Sequence, residues 1–115
     1  MDILKMLFGA PIPSVSAEEA QAKLKGQPAP FLLDVRQPEE YAQGHIAGAK
    51  LIPLGELSGR LKELPQGREI VCVCRSGNRS ASAARQLSAA GYTVVNLRGG
   101  LLAWQAARLP VKAGR

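Results

Sequence analysis

The chain has 115 residues, which is the size of one domain and too short for two independent hydrophobic cores. Hydrophobic residues make up 46% of it, which predicts a folded chain, but no apolar run is long enough to span a membrane. The net charge of +6 lies in the second half, because residues 1–60 hold six basic and seven acidic side chains, whereas residues 61–115 hold nine and two. This half is expected to bind a small anion rather than nucleic acid, since its arginines are dispersed among few aromatic residues.

The chain before residue 36 predicts one helix and one strand. Ser16, followed three residues later by Glu19, is typical of a capping box that starts a helix, and Gly26 ends that helix. Residues 31–35 form an apolar run with a single acid, which is typical of a strand covered on both faces.

A second short helix is predicted to begin at Pro38, where a proline and two following carboxylates suit a first helical turn, and to end at Gly44. Residues 50–52 predict a brief strand. Leucines on one face predict a further helix over residues 54–64, despite two glycines within it.

Strands and helices continue to alternate in the second half of the chain. Strands are predicted over residues 69–73 and 93–97, and helices over residues 78–90 and between Gly100 and Pro110. This alternation predicts an α/β domain with a mostly parallel sheet flanked by helices on both faces.

One segment combines the features of a reactive thiol. Cys74 follows a predicted buried strand and precedes a loop and a helix start, at the sheet edge where ligands collect in such folds. Converging loop N–H groups, the helix N-terminus and the flanking Arg75 and Arg79 all favour a thiolate. We therefore predict that the pKa of Cys74 is lowered and that this residue is a nucleophile.

Three motifs in order resemble a known family. They are LDVR, PEEY and GHIAGA within residues 33–49, CRSGNRS at residues 74–80, and LRGGLLAW at residues 97–104. The chain resembles a single-domain rhodanese, a thiosulfate sulfurtransferase, over residues 14–109, which implies a rhodanese-like α/β fold.

The resemblance also implies a chemistry. Thiolate Cys74 would take the sulfane sulfur of thiosulfate as a persulfide, release sulfite, and pass the sulfur to cyanide or a thiol. The implied substrate-binding residues are those of the loop: Arg75, Ser76, Gly77, Asn78, Arg79 and Ser80. No metal or organic cofactor is implied.

Two alternatives stay open. The domain could be a persulfide carrier or partner-binding module that serves another protein acceptor. A phosphatase or arsenate reductase on the same scaffold is less favoured, because resemblance to such enzymes implies a loop one residue longer than the six positions from Cys74 to Arg79.

Other polar and reactive residues are assigned supporting roles. Asp34 and Arg36 are expected to orient loops near the site, and the alternative for Arg36 is that it reaches the mouth of the site. Cys72 is interpreted as core, with a resolving thiol as the alternative. His45 is expected to make structural hydrogen bonds, and the Gly99–Gly100 pair to permit close backbone approach.

The sequence divides into an N-terminal extension (1–13), a rhodanese-like domain (14–110) and a C-terminal tail (111–115). The apolar stretch 3–8 lacks the basic start of a secretion signal, so the protein is expected to be cytoplasmic and the stretch to pack on the domain. The tail is expected to fray, and Trp104 is expected in the core.

Overall fold

The computed structural model of the chain describes residues 11–114 and is built on a five-stranded sheet. The strands are β1 (Ser14–Val15), β2 (Phe31–Asp34), β3 (Lys50–Leu51), β4 (Ile70–Val73) and β5 (Val94–Leu97). They lie in the order β1-β5-β4-β2-β3, and every pairing is parallel. Strand β4 is therefore central, and the carboxyl ends of all five strands meet at one edge.

Helices cover both faces of this sheet, as predicted. They are α1 (Ala17–Leu24), α2 (Pro38–Gln43), α3 (Asn78–Ala89) and α4 (Gly100–Ala106). Helices α1 and α4 bury Ala20 and Trp104 against one face, whereas α3 buries Leu87 against the other. Alternate residues of β4 point to opposite faces, so Val73 lies with α1 and α4, and Cys72 lies with α3.

The local helix signals are confirmed. The Ser16 side chain accepts a hydrogen bond from the Glu19 backbone N–H at 3.1 Å, and the Glu19 carboxylate accepts one from the Ser16 N–H at 2.9 Å. Pro38 begins α2 and Gly44 caps it. These signals depend only on neighbours in sequence, which is why they could be predicted.

The predicted helix over residues 54–64 is wrong. The structure has two 3₁₀ segments instead, Leu54–Gly59 and Leu61–Glu63. Two glycines weaken helix propensity here, and Arg60, at φ −128°, leaves the helical region between the segments.

The structure differs from the sequence-based expectation at both ends of the domain. Strand β1 was not predicted, because two residues are too few to show alternation. The prediction that the tail frays is wrong up to residue 114. The backbones of Lys112 and His45 exchange hydrogen bonds of 2.8 and 2.9 Å, which hold the tail against the domain. The apolar stretch 3–8 lies outside the described residues, and within them no helix is long and apolar enough to cross a membrane.

Candidate active site

Cys74 lies at the carboxyl end of central strand β4, one residue after the strand ends. Its residue surface is 1% exposed, and its Sγ accepts a hydrogen bond from the Gly77 N–H at 3.1 Å. The Ser80 hydroxyl, in the first turn of α3, lies 3.3 Å from the same sulfur. The loop and the start of α3 therefore surround the sulfur with hydrogen-bond donors.

The loop keeps this shape because its carbonyl groups are bound from the opposite side. The N–H groups of Leu101 and Leu102 in α4 donate to the carbonyl oxygens of Cys74 and Arg75 at 2.8 and 3.0 Å. A Cβ on Gly100 would lie 2.4 Å from the Cys74 oxygen. The expectation that this glycine permits close backbone approach is confirmed, and the approach leaves the loop N–H groups free to face the sulfur.

The surroundings of Cys74 favour its thiolate. Burial by itself raises the pKa of the thiol, but hydrogen bonds from the Ser80 side chain and from the backbone N–H groups of Ser80, Gly77 and Ser76 outweigh burial. The net effect is a pKa below the usual value. The groups that lower the pKa are hydrogen-bond donors of the loop and the helix start. The sequence instead predicts a large contribution from the charges of Arg75 and Arg79.

Cys72 is buried in the hydrophobic core on the α3 side of the sheet. Burial raises the pKa of this thiol to about 12, with a smaller contribution from Cys74. It is therefore protonated at neutral pH, which fits the core interpretation and disfavours a resolving thiol.

The two loop arginines lie in different surroundings. The Arg79 guanidinium makes a bidentate ion pair with the Glu40 carboxylate of α2, with N–O distances of 2.6 and 2.8 Å. Arg75 is exposed and lines a cavity of about 220 Å³, together with Arg36, Glu40, Gln43, Gly44, Leu101, Leu102 and Gln105. Much of the charge of Arg79 is thus balanced by a carboxylate that sequence reasoning had assigned only to a helix terminus.

The Arg79–Glu40 pair is expected to make stability depend on pH. Hydrogen bonding to Arg79 lowers the pKa of Glu40 from 4.5 to about 2. Because the folded-state value is the lower one, the contribution is present above about pH 4.5 and is lost as the pH falls toward 2. We expect Glu40→Gln to lower the free energy of unfolding by about 1 kcal/mol at pH 7, since the pair is partly exposed to solvent.

Urea denaturation at pH 7 and near pH 2 measures this effect, with Glu39→Gln as the matched control on the same helix. Glu39 is exposed and makes no ion pair with any residue in 11–114. Equal losses for Glu40→Gln at both pH values would contradict the assignment.

Asp34 and Arg36 form a buried pair beside the loop. The register places Asp34 next to Val73, and the Asp34 carboxylate accepts from the Arg36 Nε and a terminal nitrogen at 2.8–3.1 Å. Arg36 also donates to the Gly44 carbonyl at 2.8 Å. The pair therefore ties the end of β2 to the end of α2, as expected for groups that orient loops, and Arg36 also lines the cavity.

The remaining loop residues differ in exposure. Ser80 is buried, whereas Ser76 and Asn78 are exposed, and Gly77 caps α3 at φ +108°. A Cβ at Gly77 would lie 3.2 Å from the Gly99 nitrogen, so the two glycines let the loop and the start of α4 approach each other.

Asn96 is a site residue that sequence reasoning missed. It lies on β5, and its side chain contacts the Ser80 hydroxyl and the Gly77 carbonyl. A polar residue within the otherwise apolar VVNL strand was the available signal.

His45 and Trp104 are structural, as expected. His45 is buried, its Nδ1 lies 2.8 Å from the Tyr41 carbonyl, and its ring stacks on Tyr41. Trp104 is buried, and its indole N–H donates to the Pro110 carbonyl at 2.8 Å.

Comparison with known proteins identifies relatives of this architecture. A family model described as rhodanese-like domain matches residues 16–107. A sulfurtransferase of Allochromatium vinosum is 39% identical over 100 residues, covering 86% of this chain and 94% of that protein. A putative sulfur carrier protein of Bacillus subtilis is 40% identical over 94 residues, covering 81% of this chain and 51% of that protein. The crystal structure of a rhodanese-related protein from Thermoplasma volcanium matches with a TM-score of 0.82 at 35% identity, covering 87% of this chain and 97% of that one.

Proposed function

The chain belongs to the rhodanese-like domain family, and we propose that it moves a sulfane sulfur from thiosulfate or another persulfide donor to cyanide or a thiol. The sulfur is carried as a persulfide on Cys74. Relatives named as sulfurtransferases and as a sulfur carrier support sulfur transfer as the general activity.

The observation that carries the proposal is the set of donors around Cys74. The Gly77 N–H lies 3.1 Å and the Ser80 hydroxyl 3.3 Å from its Sγ, and the pKa of the thiol is lowered. A thiolate is the nucleophilic form of cysteine, so the site needs no separate general base to begin the reaction.

The first displacement loads the sulfur. The Cys74 thiolate attacks the outer sulfur of thiosulfate, an S–S bond forms to Cys74, and the bond between the two thiosulfate sulfurs breaks. Its electron pair leaves with sulfite. The new terminal sulfur carries the negative charge that the thiolate carried before, so the loop N–H groups serve both states.

The second displacement unloads the sulfur. Cyanide attacks the terminal sulfur, a carbon–sulfur bond forms, and the persulfide S–S bond breaks to return the Cys74 thiolate and release thiocyanate. A thiolate acceptor reacts in the same way and leaves as a persulfide.

The arginines contribute differently to this proposal. Arg75 is exposed beside the loop and would attract an anionic donor to it. Arg79, paired with Glu40, would chiefly fix the start of α3. Because Cys74 is buried, we expect the sulfur donor to be a small molecule, or a narrow protein segment that presents its reactive sulfur at its tip.

Mass spectrometry of the purified protein tests the proposal. Incubation with thiosulfate is expected to add one sulfur atom to the peptide that holds Cys74, and cyanide is expected to remove it. A persulfide that forms only with a protein donor would favour the carrier function instead, which the putative sulfur carrier relative suggests. Absence of any added sulfur with both kinds of donor would overturn both.

A further inference from the structure

A partly buried hydrogen-bond network connects Cys74 to strand β5. The Ser80 hydroxyl lies 2.5 Å from the Asn96 Oδ1, 3.2 Å from the Gly77 carbonyl and 3.3 Å from the Cys74 Sγ. A hydroxyl has one proton to donate, so these three acceptors compete for it.

The orientation of the Asn96 amide decides which acceptor binds that proton. Its Nδ2 donates to the Gly77 carbonyl at 3.2 Å, which turns Oδ1 toward Ser80. An amide oxygen can only accept, so at 2.5 Å the Ser80 hydroxyl donates to Asn96. The Cys74 sulfur, a weak acceptor while it is protonated, also lies within hydrogen-bond distance of the hydroxyl, at 3.3 Å.

Ionisation of Cys74 changes this competition. A thiolate is a charged acceptor and binds a hydroxyl proton more strongly than a neutral thiol does. The Ser80 hydroxyl must then turn from Asn96 to the sulfur and give up its shortest hydrogen bond. Asn96 thus opposes the ionisation of a cysteine to which its side chain makes no hydrogen bond.

We propose that Asn96 is a positioning residue that limits the acidity of Cys74 by competing with the thiolate for the Ser80 proton. The inference rests on the proposed function only in taking Cys74 as the reactive thiol. As a consequence, the Cys74 thiol is less acidic than the loop donors alone would make it. The thiolate of a less acidic thiol is intrinsically the stronger nucleophile.

The pH dependence of Cys74 alkylation by iodoacetamide tests this proposal without any sulfur donor. Asn96→Ala and the closer volume match Asn96→Leu both remove the competing acceptor. The midpoint of alkylation is expected to fall by about half a pH unit to one unit, because one neutral hydrogen bond no longer has to be broken. Mass spectrometry assigns the alkylated cysteine, and thermal unfolding confirms that each variant is folded.

A double-mutant cycle with Ser80→Ala supplies the control. Ser80→Ala alone is expected to raise the midpoint, and adding Asn96→Ala to it is expected to change nothing further, since the hydroxyl that connects the two residues is gone. The titratable and charged groups near Cys74, namely the Cys72 thiol, the Arg79–Glu40 and Asp34–Arg36 pairs and Arg75, stay the same in every variant.

Three results would overturn the proposal: an unchanged midpoint in both Asn96 variants, a raised midpoint, or an equal fall in the Ser80→Ala background. A raised midpoint would show that Asn96 merely holds the loop through the Gly77 carbonyl. Failure of the proposed function is a separate result, because it appears as a missing persulfide in a protein whose alkylation still responds to Asn96.

Discussion

Cys74→Ala is expected to abolish thiocyanate formation from thiosulfate and cyanide, by at least about a thousandfold, because no other group in the site can carry the sulfur. Cys72→Ala makes the same chemical change, loss of a thiol, two residues earlier on the same side of the sheet. That variant is expected to keep most of the activity and to lose about 1 kcal/mol of stability, since it leaves a small cavity in the core.

The pair of variants separates the two roles of cysteine in this chain. Activity in folded Cys74→Ala protein would remove the proposed nucleophile. Loss of activity in folded Cys72→Ala protein would instead show that Cys72 takes part in transfer, despite a pKa raised to about 12 by its burial.

The position of Cys74 could be predicted because it depends on short-range pattern. An apolar strand, a six-position loop and a helix start are contiguous in the sequence, and in a parallel sheet this order places the cysteine at the ligand-binding edge. The capping box of Ser16 and Glu19 is local in the same sense. Such features depend on neighbours a few residues apart, which the sequence displays directly.

The contacts that adjust the site could not be predicted in this way. Arg79 lies 39 residues from Glu40, and Ser80 lies 16 residues from Asn96. Each of these residues has several plausible partners in the sequence, and only the packing of α2 and β5 beside α3 selects one. The backbone pairing of Lys112 with His45 could not be predicted for the same reason.

Gly100 lies so close to the loop that follows Cys74 that Gly100→Ala is expected to displace this loop. Gly100 has φ +59°, and its added Cβ would lie 2.4 Å from the Cys74 oxygen and 2.6 Å from the Arg75 oxygen. Both neighbours are backbone atoms, so the loop or α4 must move. We expect a loss of roughly 2–5 kcal/mol in the free energy of unfolding, together with loss of sulfur transfer.

Gly55→Ala is the matched control, because a Cβ there meets no atom within 4 Å. It is expected to leave activity unchanged and stability nearly so. In Gly100→Ala we expect the hydrogen bonds that Leu101 and Leu102 donate to the loop carbonyls to lengthen, and the loop N–H groups to turn away from the sulfur. The midpoint of Cys74 alkylation should therefore rise in the folded fraction, whereas an unshifted midpoint would mean that the amides hold their direction without support from α4.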